Sequence, residues 1–162
     1  MHFPLKSNRY NVIIYITYFC GGTMAVFSEE FSNGIPFMDN SAKRFITELN
    51  KLSDAMKNGE GRQYVIFALD FLKDFCETQL AFENKVMLQY YFYDNPNHIK
   101  MHEEFRESVI DIIKRYDEFG ADHGMPLNVQ RMMSSWLARH IGKQDKVLGD
   151  YIRVKLTKKE KA

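Results

Sequence analysis

An all-α chain, folded as an up-down-up-down four-helix bundle with an N-terminal arm, is predicted by three features of the sequence. Apolar residues recur three and four apart through almost everything after Asp39, which is the period of a helix with one buried face. The 162 residues include only 9 glycines and 4 prolines, too few for the tight turns of a sandwich or barrel. Hydrophobic residues make up 45% and aromatics 14%, enough to fill one core, whereas two cysteines, Cys20 and Cys76, are too few for a disulfide framework. With 22 basic and 21 acidic side chains and a net charge of +1, the chain lacks the basic excess of a nucleic-acid binder and the acidic excess of a disordered tail.

Four helical segments succeed one another. The first covers residues 39–57, with Phe45, Ile46, Leu49, Leu52 and Met56 on one face, and stops at Asn58-Gly59-Glu60-Gly61. The second covers residues 62–91, with an inner stripe of Phe67, Ala68, Phe71, Leu72, Phe75, Cys76, Leu80, Glu83 and Met87. Asp94-Asn95-Pro96-Asn97 forms a turn, with the proline tolerated at the start of the next helix. The third covers residues 97–118, with His98, Met101, His102, Phe105, Val109, Ile112, Ile113 and Tyr116 inward, and breaks at Gly120 and Gly124-Met125-Pro126. The fourth covers residues 127–154, with Met133, Trp136, Leu137, His140, Ile141, Val147, Leu148 and Tyr151 inward. Tyr90-Tyr91-Phe92-Tyr93 is placed to plug the end of the bundle, and residues 155–162 form a basic polar tail. Short connections between long amphipathic helices favour antiparallel neighbours.

The N-terminus differs. Lys6 and Arg9 precede an apolar run over residues 12–20, followed by Gly21-Gly22-Thr23-Met24-Ala25. The run is shorter than the roughly 20 apolar residues that span a bilayer. It has the order of a secretory signal, but two other readings compete: a strand or loop packed on the domain, and a segment upstream of a start at Met24. The last is favoured, which gives an extension over 1–24, a domain over 25–154 and a cytoplasmic location, with export if the extension acts as a signal.

Three of five histidines, His98, His102 and His140, fall on inner faces, where an imidazole needs partners for its ring nitrogens. His98 and His102 share a face because they are four apart. Such a pair alone also fits buried histidines satisfied by polar neighbours. Glu83 lies among apolar residues, where a carboxylate is rarely unpaired. Asp145 comes five positions after His140, about 140° round a regular helix, so both point inward only if a π-bulge intervenes; alone, Asp145 also fits a surface ion pair with Lys143 or Lys146. Together the three histidines and two carboxylates suit a non-haem iron or zinc site built from facing helices. Cys76, on the same stripe, fits a small core residue.

These spacings resemble those of the haemerythrin family, its bacterial members in particular. The resemblance runs from about Ala25 to Ile152 through the arm at Phe27-Ser28-Glu29-Glu30-Phe31, Met38-Asp39, Gln79 to Glu83, the His98-x3-His102 pair and Trp136-Leu137-Ala138-Arg139-His140 with Asp145. It implies a non-haem di-iron centre in which three histidines hold one iron, two hold the other, and a glutamate and an aspartate bridge them. His98, His102 and His140 match the first iron's ligands, and Glu83 and Asp145 the bridges. Ala42 and Gln79 stand where the second iron's histidines belong, and alanine has no donor atom.

The resemblance thus implies a metal-binding protein with a family role in oxygen binding, carriage or sensing, not an enzyme, with one site retained and the second degraded. One ion is expected; two would require Gln79, water and Asp39 to complete the second position. Manganese and zinc also fit the ligand set. In the family oxygen binds the second iron, so the half that is missing here is the reactive half; dioxygen or another small molecule is a candidate ligand. The alternative is a degenerate helical bundle serving as a binding or signalling module without oxygen chemistry. No nucleic-acid partner and no membrane-spanning segment are expected, and oligomeric state is left open.

Overall fold

A computed structural model describes residues 31–159, side chains from 31 to 158, and the backbone of residues 17–19 and 22–24. Most of the N-terminal extension and arm lies outside these residues. The short strands β1 (Thr17–Phe19) and β2 (Gly22–Met24) pair antiparallel, Thr17 opposite Met24, and β2 lies against the first helix.

Four long helices run up, down, up and down. The first is α1 (Pro36–Lys57). The second is α2 (Gly61–Phe75), a π-helical turn over Cys76–Leu80 and α3 (Ala81–Gln89), in one continuous rod. The third is α4 (Asn95–Phe119). The fourth joins α5 (Met125–Trp136), a second π-helical segment over Leu137–Gln144, and α6 (Asp145–Lys159). Local chemistry sets the ends. Proline opens α1, α4 and α5, where its missing N–H would have no intrahelical partner. Gly59 and Gly120 leave α1 and α4 with φ of 78° and 70°. Asp122 Oδ1 accepts from the backbone N–H groups of Gly124 and Met125 at 2.7 and 2.8 Å and so organises the entry to α5. No helix among the described residues is long and apolar enough to cross a membrane.

The inner faces form two apolar clusters. The larger gathers Phe45, Leu52, Leu69, Leu72, Val129 and Met133 with their neighbours from α1, α2, α4 and α5. The smaller lies at the other end, with Met38, Met87, Phe92, Leu148 and Ile152. Phe92 is the plug expected of the Tyr-Tyr-Phe-Tyr run, while Tyr91 and Tyr93 are exposed. Tyr91 has φ of 54°, and this corner is pinned by the Tyr151 hydroxyl, which donates to the carbonyls of Tyr90 and Tyr91 at 3.1 and 2.7 Å.

Two residues of the expected inner stripes face solvent. Phe67 is 59% exposed, because α2 buries Val65, Ala68, Leu69 and Leu72 and leaves Phe67 to pack on Tyr64. Val147 is 36% exposed, because the phase of α6 is fixed by Asp145, Leu148 and Ile152, all buried. The larger core is otherwise built from the positions the periodicity singled out, with Phe71, Ile112, Ile113 and Tyr116 partly buried at its edge.

The segment before α1 is fastened to α6. Asp39 accepts from Ser32 Oγ at 2.7 Å and from the Asn33 backbone N–H at 2.8 Å, which holds Asn33 against Gly149. A Cβ on Gly149 would lie 2.5 Å from the Asn33 Cβ and 3.2 Å from its carbonyl oxygen. Gly149→Ala is therefore expected to reverse the usual helical preference of about 1 kcal/mol for alanine and to destabilise the protein by about 1–3 kcal/mol. Thermal unfolding checks this; a raised Tm would show that residues 32–35 do not pack on α6.

Candidate metal centre

The two apolar clusters meet at a layer of polar side chains, drawn from several helical segments. On the second rod Glu83 lies between Leu80 of the larger cluster and Met87 of the smaller. On the fourth, His140 precedes Ile141 and Asp145 precedes Leu148. From α4, His98 packs edge-on to Phe92, and His102 sits one turn before Phe105. All five side chains are buried, His102 completely.

The second π-helical segment is the bulge required to bring His140 and Asp145 to one side. Their separation is 3.1 Å, from His140 Nε2 to Asp145 Oδ1. The same oxygen lies 3.3 Å from His98 Nε2. His140 Nε2 is 3.0 Å from both His98 Nε2 and His102 Nε2, and His102 Nε2 is 3.4 Å from Glu83 Oε2. One ligand atom from each of the five residues falls within 4.8 Å of all the others.

This convergence has a definite electrostatic character. Burial, with the charges of His140 and His98 acting in the same direction, pushes the His102 imidazole down to about 2. Burial also lowers His140, against the pull of Asp145. Burial raises Glu83 well above its ordinary value, assisted by the charge of Asp145 and opposed by the Gln79 hydrogen bond. Asp145 goes the other way: burial would raise it, but His140 and His98 together outweigh burial and hold its carboxyl below the usual range. The His102 and His140 imidazoles are thus neutral at physiological pH, with nitrogen lone pairs available. The Nδ1–H of His102 donates to the Asn84 amide oxygen at 2.7 Å, which fixes the tautomer that leaves Nε2 free.

Imidazole nitrogens 3.0 Å apart repel through their lone pairs wherever no proton lies between them. Neighbouring ligands around one cation with bonds of about 2.1 Å to nitrogen lie about 3.0 Å apart, which is the spacing found. Glu83 Oε2 and Asp145 Oδ1 are buried, face the same point and accept no hydrogen bond. The donor set, its geometry and its unpartnered oxygens all fit a divalent cation.

The positions expected to be degraded are also placed. Ala42 is buried in the larger cluster. Gln79, on the first π-helical turn, donates from Nε2 to Glu83 Oε1 at 2.8 Å. Asp39, a candidate to complete a second position, instead binds Ser32 and Asn33 with its two oxygens. Cys76 is a buried free thiol, raised to about 11 chiefly by burial, and His123 is exposed in the connection after α4. Among the described residues, the five-residue group is the cluster of three or more histidine, cysteine or carboxylate side chains able to share an ion. Sequence reasoning missed Asn84; its position beside Glu83 on a helix facing α4 was the available signal.

The sequence profile of the Hemerythrin HHE cation binding domain matches residues 33–152. The chain belongs to the haemerythrin family. It is similar to the Bacteriohemerythrin of Pseudomonas aeruginosa (strain LESB58), 29% identical over 130 residues that cover 79% of this chain and 81% of the relative. It is also similar to the Bacteriohemerythrin of Stenotrophomonas maltophilia (strain R551-3), 26% identical over 133 residues, covering 82% and 84%. The haemerythrin profile spans all five converging residues and all four bundle helices up to Ile152.

The burial of neutral imidazoles gives the metal-free protein a pH signature. His102 and His140 are lowered in the folded state, so below their ordinary value of 6.5 the unfolded chain takes up two protons that the folded chain refuses. Stability is lost as pH falls. Glu83 is raised, so above 4.5 the folded chain keeps a proton that the unfolded chain releases, and stability is lost as pH rises. Two groups oppose one between pH 4.5 and 6.5, so the net effect across that window is a loss of stability on acidification, which is the slope to be measured. Denaturant unfolding of the metal-free protein at intervals across this window is expected to show that slope, and a flat profile would mean that the imidazoles are not buried neutral.

Proposed function

We propose that the protein holds one non-haem iron through His98, His102, His140, Glu83 and Asp145, and that it binds a small neutral ligand of the dioxygen class at that centre. The supporting observation is the convergence of five buried donor atoms within 4.8 Å, two of them carboxylate oxygens without hydrogen bonds. Five donors exceed the four of tetrahedral structural zinc, and the mixture of imidazole and carboxylate suits iron. When bound, iron supplies reversible coordination of a small ligand at a position the protein leaves free.

The chain's own residues divide the remaining work. The three imidazoles supply nitrogen donors, His102 in the tautomer that Asn84 holds. The two carboxylates supply the negative charge that draws a cation into an apolar core. Gln79 occupies the outer oxygen of Glu83 and, with Ala42, replaces the second iron's ligands. Trp136 lies stacked on His140 at 3.8 Å between ring centres and 11° between planes, and Phe105 stacks on Trp136 at 4.0 Å; the pair forms the wall of the site on that side. An apolar cleft of about 480 Å³ between Phe37, Met38, Phe82, Val86 and Ile152 reaches Glu83 from outside, a suitable approach for a neutral apolar molecule.

A bundle without a cation, serving only as a binding module, is disfavoured by the same atoms. Glu83 Oε2 and Asp145 Oδ1 would remain buried without partners, each destabilising the fold by about 1–3 kcal/mol.

Metal analysis of anaerobically purified protein, with absorption spectra before and after air, tests the reading. One iron per chain is expected, and His102→Ala is expected to lose it together with the stability that binding adds. An unchanged metal content and Tm in that variant would sink the assignment. Ala42→His combined with Gln79→His is expected to raise the stoichiometry to two. A double variant that still holds one ion would show that these positions do not face a second site.

A further inference from the structure

We propose that Arg106 is a positioning residue for the metal centre, acting through the π-helical turn that aims Glu83; this rests on the single-ion reading above. Arg106 lies four residues after His102, so one face of α4 carries both. The guanidinium Nη2 donates to the Cys76 carbonyl oxygen at 3.3 Å. Cys76 opens the first π-helical turn. Where a helix changes from one hydrogen-bond register to the next, its backbone carbonyls lose regular partners, and a donor from a neighbouring helix stabilises the irregular turn.

The shape of this turn sets the direction of Glu83. Gln79 lies on it and Glu83 lies just beyond, and the two are joined by the 2.8 Å bond between them. The other side of Glu83 is tied to α4 by the bond between Asn84 and His102. Arg106 and His102 therefore fix the second rod at two heights, seven residues before Glu83 and one residue after it. Between these points the angle of Glu83 towards the imidazoles is determined. Without the Arg106 bond the turn is free to relax towards regular α-helical pitch, and Glu83 swings relative to His102.

A positioning role and a purely electrostatic one predict opposite signs. The Arg106 charge acts on the His102 imidazole in the same direction as a cation would and disfavours positive charge there. If charge were its only influence, removing it would tighten cation binding. If it positions Glu83, removing it weakens binding by about tenfold, as for other residues that orient metal ligands.

The test is titration of the metal-free full-length protein with Co(II), read by its absorption spectrum, for the wild type, Arg106→Met, Arg106→Lys, Glu83→Gln and the double variant Arg106→Met with Glu83→Gln. Arg106→Met is expected to weaken binding about tenfold, and Arg106→Lys, which keeps a donor, to recover part of that loss. In the Glu83→Gln background Arg106→Met is expected to have no further effect, because the residue through which it acts is gone. Tighter binding in Arg106→Met, unchanged binding, or additive effects of the two substitutions would overturn the inference. A wild type that takes up no cobalt would instead overturn the metal-binding reading, and the role of Arg106 with it.

Discussion

Three buried imidazoles and two carboxylates directed at one point impose the constraint on which most of this structure depends. In an apolar core such a group is unfavourable unless a positive charge lies among it. Burial keeps His102 and His140 unprotonated, so that charge does not come from these histidines. The Asp145 carboxyl is held below its usual range while Glu83 is pushed towards its neutral form. The two carboxylates thus respond differently to one environment. Asp145 sits between two imidazoles, whereas Glu83 meets one imidazole at 3.4 Å and shares its other oxygen with an amide.

The helices bend their regularity to satisfy this arrangement. Both rods that contribute carboxylates carry a π-helical segment next to the centre, whereas α1 and α4 are regular throughout. Such segments forfeit well-formed backbone bonds and persist only where something compensates. Beside the second, the aromatic stack of Phe105, Trp136 and His140 packs the wall of the site. At the first, Arg106 reaches across from α4. The smaller apolar cluster closes the end nearest Asp145, and the pinned corner at Tyr91 and the strap at Asp39 fasten that end to α6 and α1.

The two π-helical segments also show why the sequence was only partly legible. The step of five from His140 to Asp145 breaks the spacing of three and four, so the need for an extra residue could be read directly. At Cys76–Leu80 the buried positions Cys76, Gln79, Leu80 and Glu83 keep that spacing, and the irregularity leaves no mark in the pattern. The four rods and the five converging side chains were readable because inward polar residues contrast with apolar neighbours. Phe67 and Val147 were not, since an apolar residue at the margin of a stripe gives no sign of which side it faces. Asn84 and Asp39 act through hydrogen bonds whose partners lie on separate elements, and periodicity carries no information about them.

Charge balance links the identity of residues 42 and 79 to the number of ions the proposed centre would hold. Glu83 and Asp145 carry two negative charges when ionised, and one divalent cation neutralises them. A second would leave a net double positive charge in a core where the neighbouring Arg106 already disfavours positive charge at His102. A neutral amide does not add to that imbalance. Gln79 satisfies the outer oxygen of Glu83 with an N–H dipole instead of an ion, and Ala42 lets the larger apolar cluster reach the wall that a histidine would occupy. On the proposed single-ion reading Gln79 and Ala42 act together: one supplies the hydrogen bond that a second cation would make unnecessary, and the other offers no polar surface to recruit it.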